Sequence, residues 1–151
     1  MSLMDDIFDK FRAKIPSQMG LKLPPPVFQE MRGEFIAFDE EAKSLTVRFP
    51  VEERFQNPLG LMQGGVIVAA IDNTFGPLSY LVAPPSVTTQ LNTSFIQSVP
   101  PDTEYIEVTA RVDEHTRRFL FLSAKVHNPS KEILALAQAS FMILRGARVR
   151  L

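Results

Sequence analysis

The 151-residue chain contains no cysteine, which excludes disulfides, thiolate nucleophiles and thiolate metal sites. Histidine is almost as scarce. His115 falls in the DEHTR turn between two strand-like runs and His127 at the end of one, so neither has the spacing of a metal ligand, and both read as structural or solvated. Charge of one sign is also missing: sixteen basic against seventeen acidic residues leave a formal charge of −1, with no basic field to draw nucleic acid or an anionic membrane. No uninterrupted apolar run approaches the roughly 20 residues of a membrane span. Residues 1–15 mix charged with apolar side chains, unlike the core of a secretory signal. The expectation is a soluble, cytoplasmic protein that partners neither nucleic acid nor membrane. Internal repeats, low-complexity tracts and dividing linkers are absent as well, so residues 1–151 read as one domain, long enough at 45% hydrophobic composition for a proper core. There is no Gly-x-Ser-x-Gly nucleophile elbow and no phosphate-cradling Walker motif.

What is present is organised around Asn57 to Leu81, a glycine-rich turn running into an apolar segment. Its length favours a helix from Gly64 to Val82, about 28 Å long at ~1.5 Å per residue. Before it, Met4, Ile7, Phe8, Phe11 and Ile15 recur at helical spacing, with Ser2 and Asp5 placed as a capping box. Pro16 and Pro24 to Pro26 turn the rest of residues 1–26 into an extended connector. Phe28 to Asp39 and Ser44 to Phe49 read as a strand hairpin around Asp39 to Lys43. After the long helix, Val87, Thr89, Leu91, Thr93 and Phe95 alternate with Thr88, Gln90, Asn92 and Ser94, a strand with one polar face. Runs around Ile106 to Val112, Leu120 to Val126 and Ile133 to Ile143 complete four consecutive strands joined by short turns. The class is α+β, an antiparallel sheet with the long helix on one face.

Asp72 stands alone in the apolar helix, and an ionised carboxylate in apolar surroundings costs several kcal/mol unless paired, hydrogen-bonded or protonated. It could cap a helix restarting there, since Pro77 should kink the segment. It also matches a general base or nucleophile tuned by burial, and with no histidine nearby it is the one candidate base. Gly64 and Gly65 could be a tight turn under a packed helix. Equally, they could offer free N–H groups at the positive end of the helix dipole to a developing oxyanion. Gln63 and Asn57 are neutral amides that can donate to a carbonyl or hold a water, or can cap the loop. Thr88 would face the same site from the polar side of its strand and orient water. Phe75, Leu78 and Phe95 are candidate walls of a substrate pocket. Arg117 and Arg118, with Lys131 and the tail Arg145, Arg148 and Arg150, could contact phosphates.

The run Asn57-Pro58-Leu59-Gly60-Leu61-Met62-Gln63-Gly64-Gly65, followed by Asp72-Asn73, resembles the signature of hotdog-fold acyl-CoA thioesterases of the phenylacetate-pathway type. Asn57 lies six residues before Gln63 and Asp72 nine after it, as in that family. The usual residue before the two glycines is histidine; glutamine there is also familiar among hotdog enzymes that hydrolyse hydroxybenzoyl-CoA. The resemblance implies a hotdog fold, a sheet wrapped around a long central helix. It implies hydrolysis of an acyl-CoA thioester without cofactor or metal: Asp72 as base or nucleophile, Gly64 N–H with Gln63 on the carbonyl oxygen, Asn57 and Thr88 positioning, and Gly65 giving access. It further implies a homodimer whose sites take the glycine turn and the acid from different subunits, with dimers commonly pairing again into tetramers. A noncatalytic acyl-CoA-binding protein is the alternative; a dehydratase fits less well, because Gln63 cannot transfer protons.

Overall fold

The computed structural model describes residues 1–145; of the tail arginines, Arg148 and Arg150 lie outside the described residues. Helix α1 (Leu3–Lys14) is capped as its sequence predicts: the Ser2 hydroxyl accepts from Asp5 N–H at 3.1 Å, and the Asp5 carboxylate accepts from Ser2 N–H at 3.1 Å. Those contacts with Ser2 hold the Asp5 carboxyl below its usual range. The run expected as a strand from Phe28 begins instead with a short helix, α2 (Pro26–Glu30), and strand β1 covers only Glu34–Asp39. Proline explains the difference. Its fixed φ suits the first turn of a helix, where its missing N–H costs nothing.

Strand β2 (Ser44–Pro50) completes the hairpin, and after an irregular passage comes the long helix α3 (Gly64–Val82). Strands β3 (Ser86–Phe95), β4 (Tyr105–His115), β5 (Phe119–His127) and β6 (Ile133–Ile143) follow. All pairings are antiparallel, in the order β1-β2-β4-β5-β6-β3. The four late strands are therefore not a simple meander. Strand β3 pairs with β6 at the far edge, and the Pro100-Pro101 stretch carries the chain back to β4, which lies beside β2. Chain neighbours share a sheet edge only about two-thirds of the time, and nothing local marks the exception.

The sheet presents Leu45, Val47, Phe49, Ile106, Val108, Ala110, Leu120, Leu122 and Val126 to one side, all buried. Against them lies the apolar face of α3, with Ile67, Ala70, Ile71, Thr74, Phe75 and Leu78 at helical spacing. By length and composition α3 could cross a membrane, but this face is fully occupied by the sheet. Pro77 sits inside the helix without ending it. Helix α1 covers the outer side of the C-terminal half of α3: Phe11 meets Tyr80 edge to face at 5.5 Å, and the Lys14 ammonium donates to the Leu81 carbonyl at 2.7 Å. A cation suits that end of a helix. Phe28 stacks on Phe35 at 4.9 Å and closes the corner between α2 and the sheet.

That corner has no spare room. A Cβ on Gly33 would stand 2.6 Å from the tip of the Phe28 ring, itself wedged between Phe35 and Phe49. Gly33→Ala is expected to cost about 1–3 kcal/mol, as overpacking does. Urea denaturation measures it; an unchanged midpoint would mean that the ring gives way freely.

Candidate active site at two points on the central helix

The loop before α3 is built to present backbone N–H groups. The Asn57 side-chain oxygen accepts from Leu59 N–H at 2.9 Å and Leu61 N–H at 3.1 Å, while Asn57 N–H donates to the Leu61 carbonyl at 2.7 Å. Gly60 closes the turn at φ +76°, a conformation that favours glycine. Gln63 N–H donates to the Phe55 carbonyl at 2.8 Å and Met62 N–H to that of Val99 at 2.9 Å, which ties the turn to the β3–β4 connection. The chain enters the helix with Gln63 as N-cap; its side chain is exposed and makes no capping bond. Its carbonyl accepts from Val66 and Ile67. Among the described residues, the Gly64 and Gly65 N–H groups have no carbonyl partner, as first-turn amides lack one. A Cβ on Gly65 would meet nothing within 4 Å. The Phe95 ring, 52% exposed, stands over Gly64, and Asn57, Gly64 and Phe95 share a cleft of about 270 Å³.

Asp72 lies two turns further along. It is exposed in the single chain, not buried among apolar side chains as its sequence context suggested. The helical period is the reason: Ile67, Ile71, Thr74 and Leu78 take the sheet-facing side, and Asp72 falls on the outward row with Gly65 and Ala69. Its partner is Thr88, whose hydroxyl donates to the carboxylate at 3.0 Å. Thr88 reaches it by an unexpected route. Strict alternation would put Thr88 with Gln90, Asn92 and Ser94, but the register against β6 shifts between Thr88 and Gln90. This bulge leaves Thr89 as the extra residue, its hydroxyl donating to the Ser140 carbonyl on the other face. Thr88 consequently shares the helix side with Leu91, Thr93 and Phe95. The polar face of Gln90, Asn92 and Ser94 points away from the helix, a correction to the reading from alternation.

Other candidates separate from this pair of points. Phe75 is wholly buried at 0% exposure, edge-on to Phe141, and is core rather than pocket wall; Leu78 is buried likewise. Arg117 and Arg118 stand exposed on the β4–β5 turn and line neither the Gly64 cleft nor the one beside Asp72. Lys131 lies 3.7 Å from Glu107, and Arg145 is exposed. Among the described residues no cluster of three or more His, Cys, Asp or Glu could hold a metal. Sequence reasoning missed the surroundings of Asp72. A cleft of about 430 Å³ there is walled by α1 and the Leu21–Pro25 connector as well as α3.

The model of the thioesterase superfamily matches residues 59–135, which run from the glycine turn through β3 and on into β6. The chain belongs to the thioesterase superfamily. Its fold is the hotdog fold, an antiparallel sheet with one long central helix, and the family and fold read from Asn57 to Asn73 are borne out. No curated protein matches the chain. Among solved structures it is similar to the phenylacetic acid degradation-related protein of Ralstonia eutropha JMP134 (24% identity, TM-score 0.76, 91% of this chain and 98% of that one). It is also similar to the PaaI protein of the E. coli phenylacetic acid degradation operon (15%, TM-score 0.77, 96% and 98%). A third is smu.793 of Streptococcus mutans UA159, solved bound to acetyl CoA (17%, TM-score 0.70, 83% and 94%).

In this thioesterase-superfamily chain Asn57 has two separable parts, an oxygen that caps the turn and an amide N–H₂ that a carbonyl could use. Asn57→Ala is expected to lower stability by about 1–3 kcal/mol, since the Leu59 and Leu61 amides lose their acceptor. Asn57→Asp keeps the acceptor and should stay near wild type. Melting temperatures of both variants test this, and equal loss in the two would refute the capping role.

Proposed function

We propose that the protein hydrolyses an acyl-CoA thioester to a free acid and CoA in a site shared by two copies of the chain. The observation that carries the reading is the spacing of the two active points on α3. Gly64 and Asp72 are eight residues apart, about 12 Å along the helix. One thioester carbonyl cannot touch both in a single chain. A second copy supplies the missing half, and β3 is the edge that could pair with it, because among the described residues only β6 pairs with it, on one side. Thr88 lies at Asp72 and Phe95 at Gly64. With Thr89 left out of the count as the extra residue, an antiparallel two-fold pairing centred on Asn92 sets Thr88 of one copy opposite Phe95 of the other. Asp72 of one copy then stands beside Gly64 of the second, twice per dimer.

In that arrangement the thioester carbonyl oxygen accepts from Gly64 N–H and the Gln63 side chain, at the positive end of the helix dipole. Asp72 takes a proton from water as the water oxygen attacks the carbonyl carbon. Thr88 orients the carboxylate. The tetrahedral oxyanion collapses, the C–S bond breaks, and the proton passes to the leaving CoA thiolate. Direct attack by Asp72, giving a mixed anhydride that water then opens, uses the same groups.

Asp72→Asn should abolish most turnover while leaving the fold intact, and Gln63→Ala should slow it roughly a hundredfold, the ~3 kcal/mol typical of an oxyanion donor. Co-refolding the two variants tests the shared site. About a quarter of the sites regain both groups, one of the two in each mixed dimer, so activity should reappear on mixing. A site contained within one chain predicts no recovery. Binding of CoA esters without release of free thiol, across short, long and aromatic acyl groups, would replace hydrolysis with a noncatalytic acyl-CoA-binding role.

A further inference from the structure

We propose that the cleft between α1 and the C-terminal half of α3 receives the acyl group, and that Tyr80 at its far end selects acyl chains of about eight to ten carbons. This rests on the thioester reading above. The cleft begins at Asp72 and Thr88 and encloses about 430 Å³, within the ~300–1,000 Å³ of small-molecule sites. One side is the outward row of α3, where Asp72, Gly76 and Tyr80 recur every four residues and so stand one above another. The other is α1 and the connector, with Phe11 and Leu23 facing that row. Besides Asp72 and Thr88 at the mouth, Asn73, Ser86 and the exposed Lys22 line the cleft, and most of the other groups along it, Phe8, Phe11, Ile15 and Leu23 among them, are apolar. That largely apolar composition fits hydrocarbon.

The length follows from the helix. Asp72 to Tyr80 is eight residues, about 12 Å. An extended alkyl chain with bonds near 1.5 Å advances about 1.25 Å per carbon, so roughly eight to ten carbons fill that span. Tyr80 is positioned to end it. Its ring is held edge-on by Phe11 at 5.5 Å, and α1 is pinned there by the Lys14 bond to the Leu81 carbonyl. Burial also pushes the Tyr80 phenol up, consistent with a dry end to the cleft. Midway, a Cβ on Gly76 would meet nothing within 4 Å, which leaves room for the chain beside the helix backbone.

The test compares straight-chain acyl-CoA esters from acetyl to palmitoyl, with phenylacetyl-CoA as the aromatic arm, in the full-length wild type, Tyr80→Ala and Gly76→Leu. In the wild type kcat/KM should rise by up to about fourfold per methylene, the equivalent of ~0.8 kcal/mol, and level off near octanoyl or decanoyl. Phenylacetyl, too short to reach Tyr80, should fall well below the optimum. Tyr80→Ala should move the optimum to longer chains, and Gly76→Leu, which fills the middle of the cleft, to shorter ones. Leucine suits a helix interior better than glycine does, so the second variant is expected to fold. Binding of non-hydrolysable thioether analogues, measured by calorimetry, reads the same series without turnover. Chain-length-dependent binding that shifts in opposite directions in the two variants supports the cleft, even if no ester is hydrolysed. Rates or affinities that ignore chain length, that peak at phenylacetyl, or that are unmoved by both variants overturn it while leaving hydrolysis standing.

Discussion

The structure depends on covering one helix that is apolar almost all the way round. Helix α3 carries a single charge in nineteen residues, and the sheet can take only one side of it. Ile67, Ala70, Ile71, Phe75 and Leu78 go to the sheet and are fully or almost fully withdrawn from water. Each of the larger ones, Ile67, Ile71, Phe75 and Leu78, contributes about 1.5–3 kcal/mol of transfer free energy, which favours this orientation of the helix. The outer side is then divided. Helix α1 covers its C-terminal half through Phe11 and Lys14, and the N-terminal half, with Gly65, Ala69 and Asp72, stays open.

That division places the candidate site. The turn that Asn57 caps leaves the first amides of the helix free, and the bulge at Thr89 turns the Thr88 hydroxyl to Asp72. Both features lie on or beside the uncovered half, next to β3, the edge strand with one side unoccupied among the described residues. Natural proteins manage long free edges, and pairing with a second copy is one solution that would also unite the two points. Stability of the fold and assembly of the proposed site thus draw on the same surface: the face of α3 that the sheet cannot reach.

Much of the fold was legible because hydrophobic period reports burial directly. The capping box at Ser2 and Asp5, the extent of α3 and the alternating strands β2, β4, β5 and β6 follow from local spacing. Three features did not. Pro26 started a helix where alternation suggested a strand, because its fixed φ serves either. Strand β3 went to the far edge beside β6, which is a contest among distant partners. The bulge reversed the facing of Thr88, because one extra residue resets a period of two without leaving any mark in composition.

The sequence by itself determined which residues could carry the chemistry: the turn Asn57 to Gly65, the lone acid Asp72, and the family they resemble. Backbone donors at a helix start, and a carboxylate on that helix, depend only on residue type and spacing along one element. Only the tertiary structure decided how those residues are grouped and surrounded. It put Asp72 on the open side instead of in the core, sent Phe75 to the core, and left Arg117 and Arg118 on an exposed turn that lines neither cleft. It also brought Phe11, which had read only as a helix-spaced apolar position, and Tyr80 into one cleft with Asp72. The physical reason is that periodicity specifies which face of an element turns inward, whereas what that face meets depends on contacts between segments tens of residues apart.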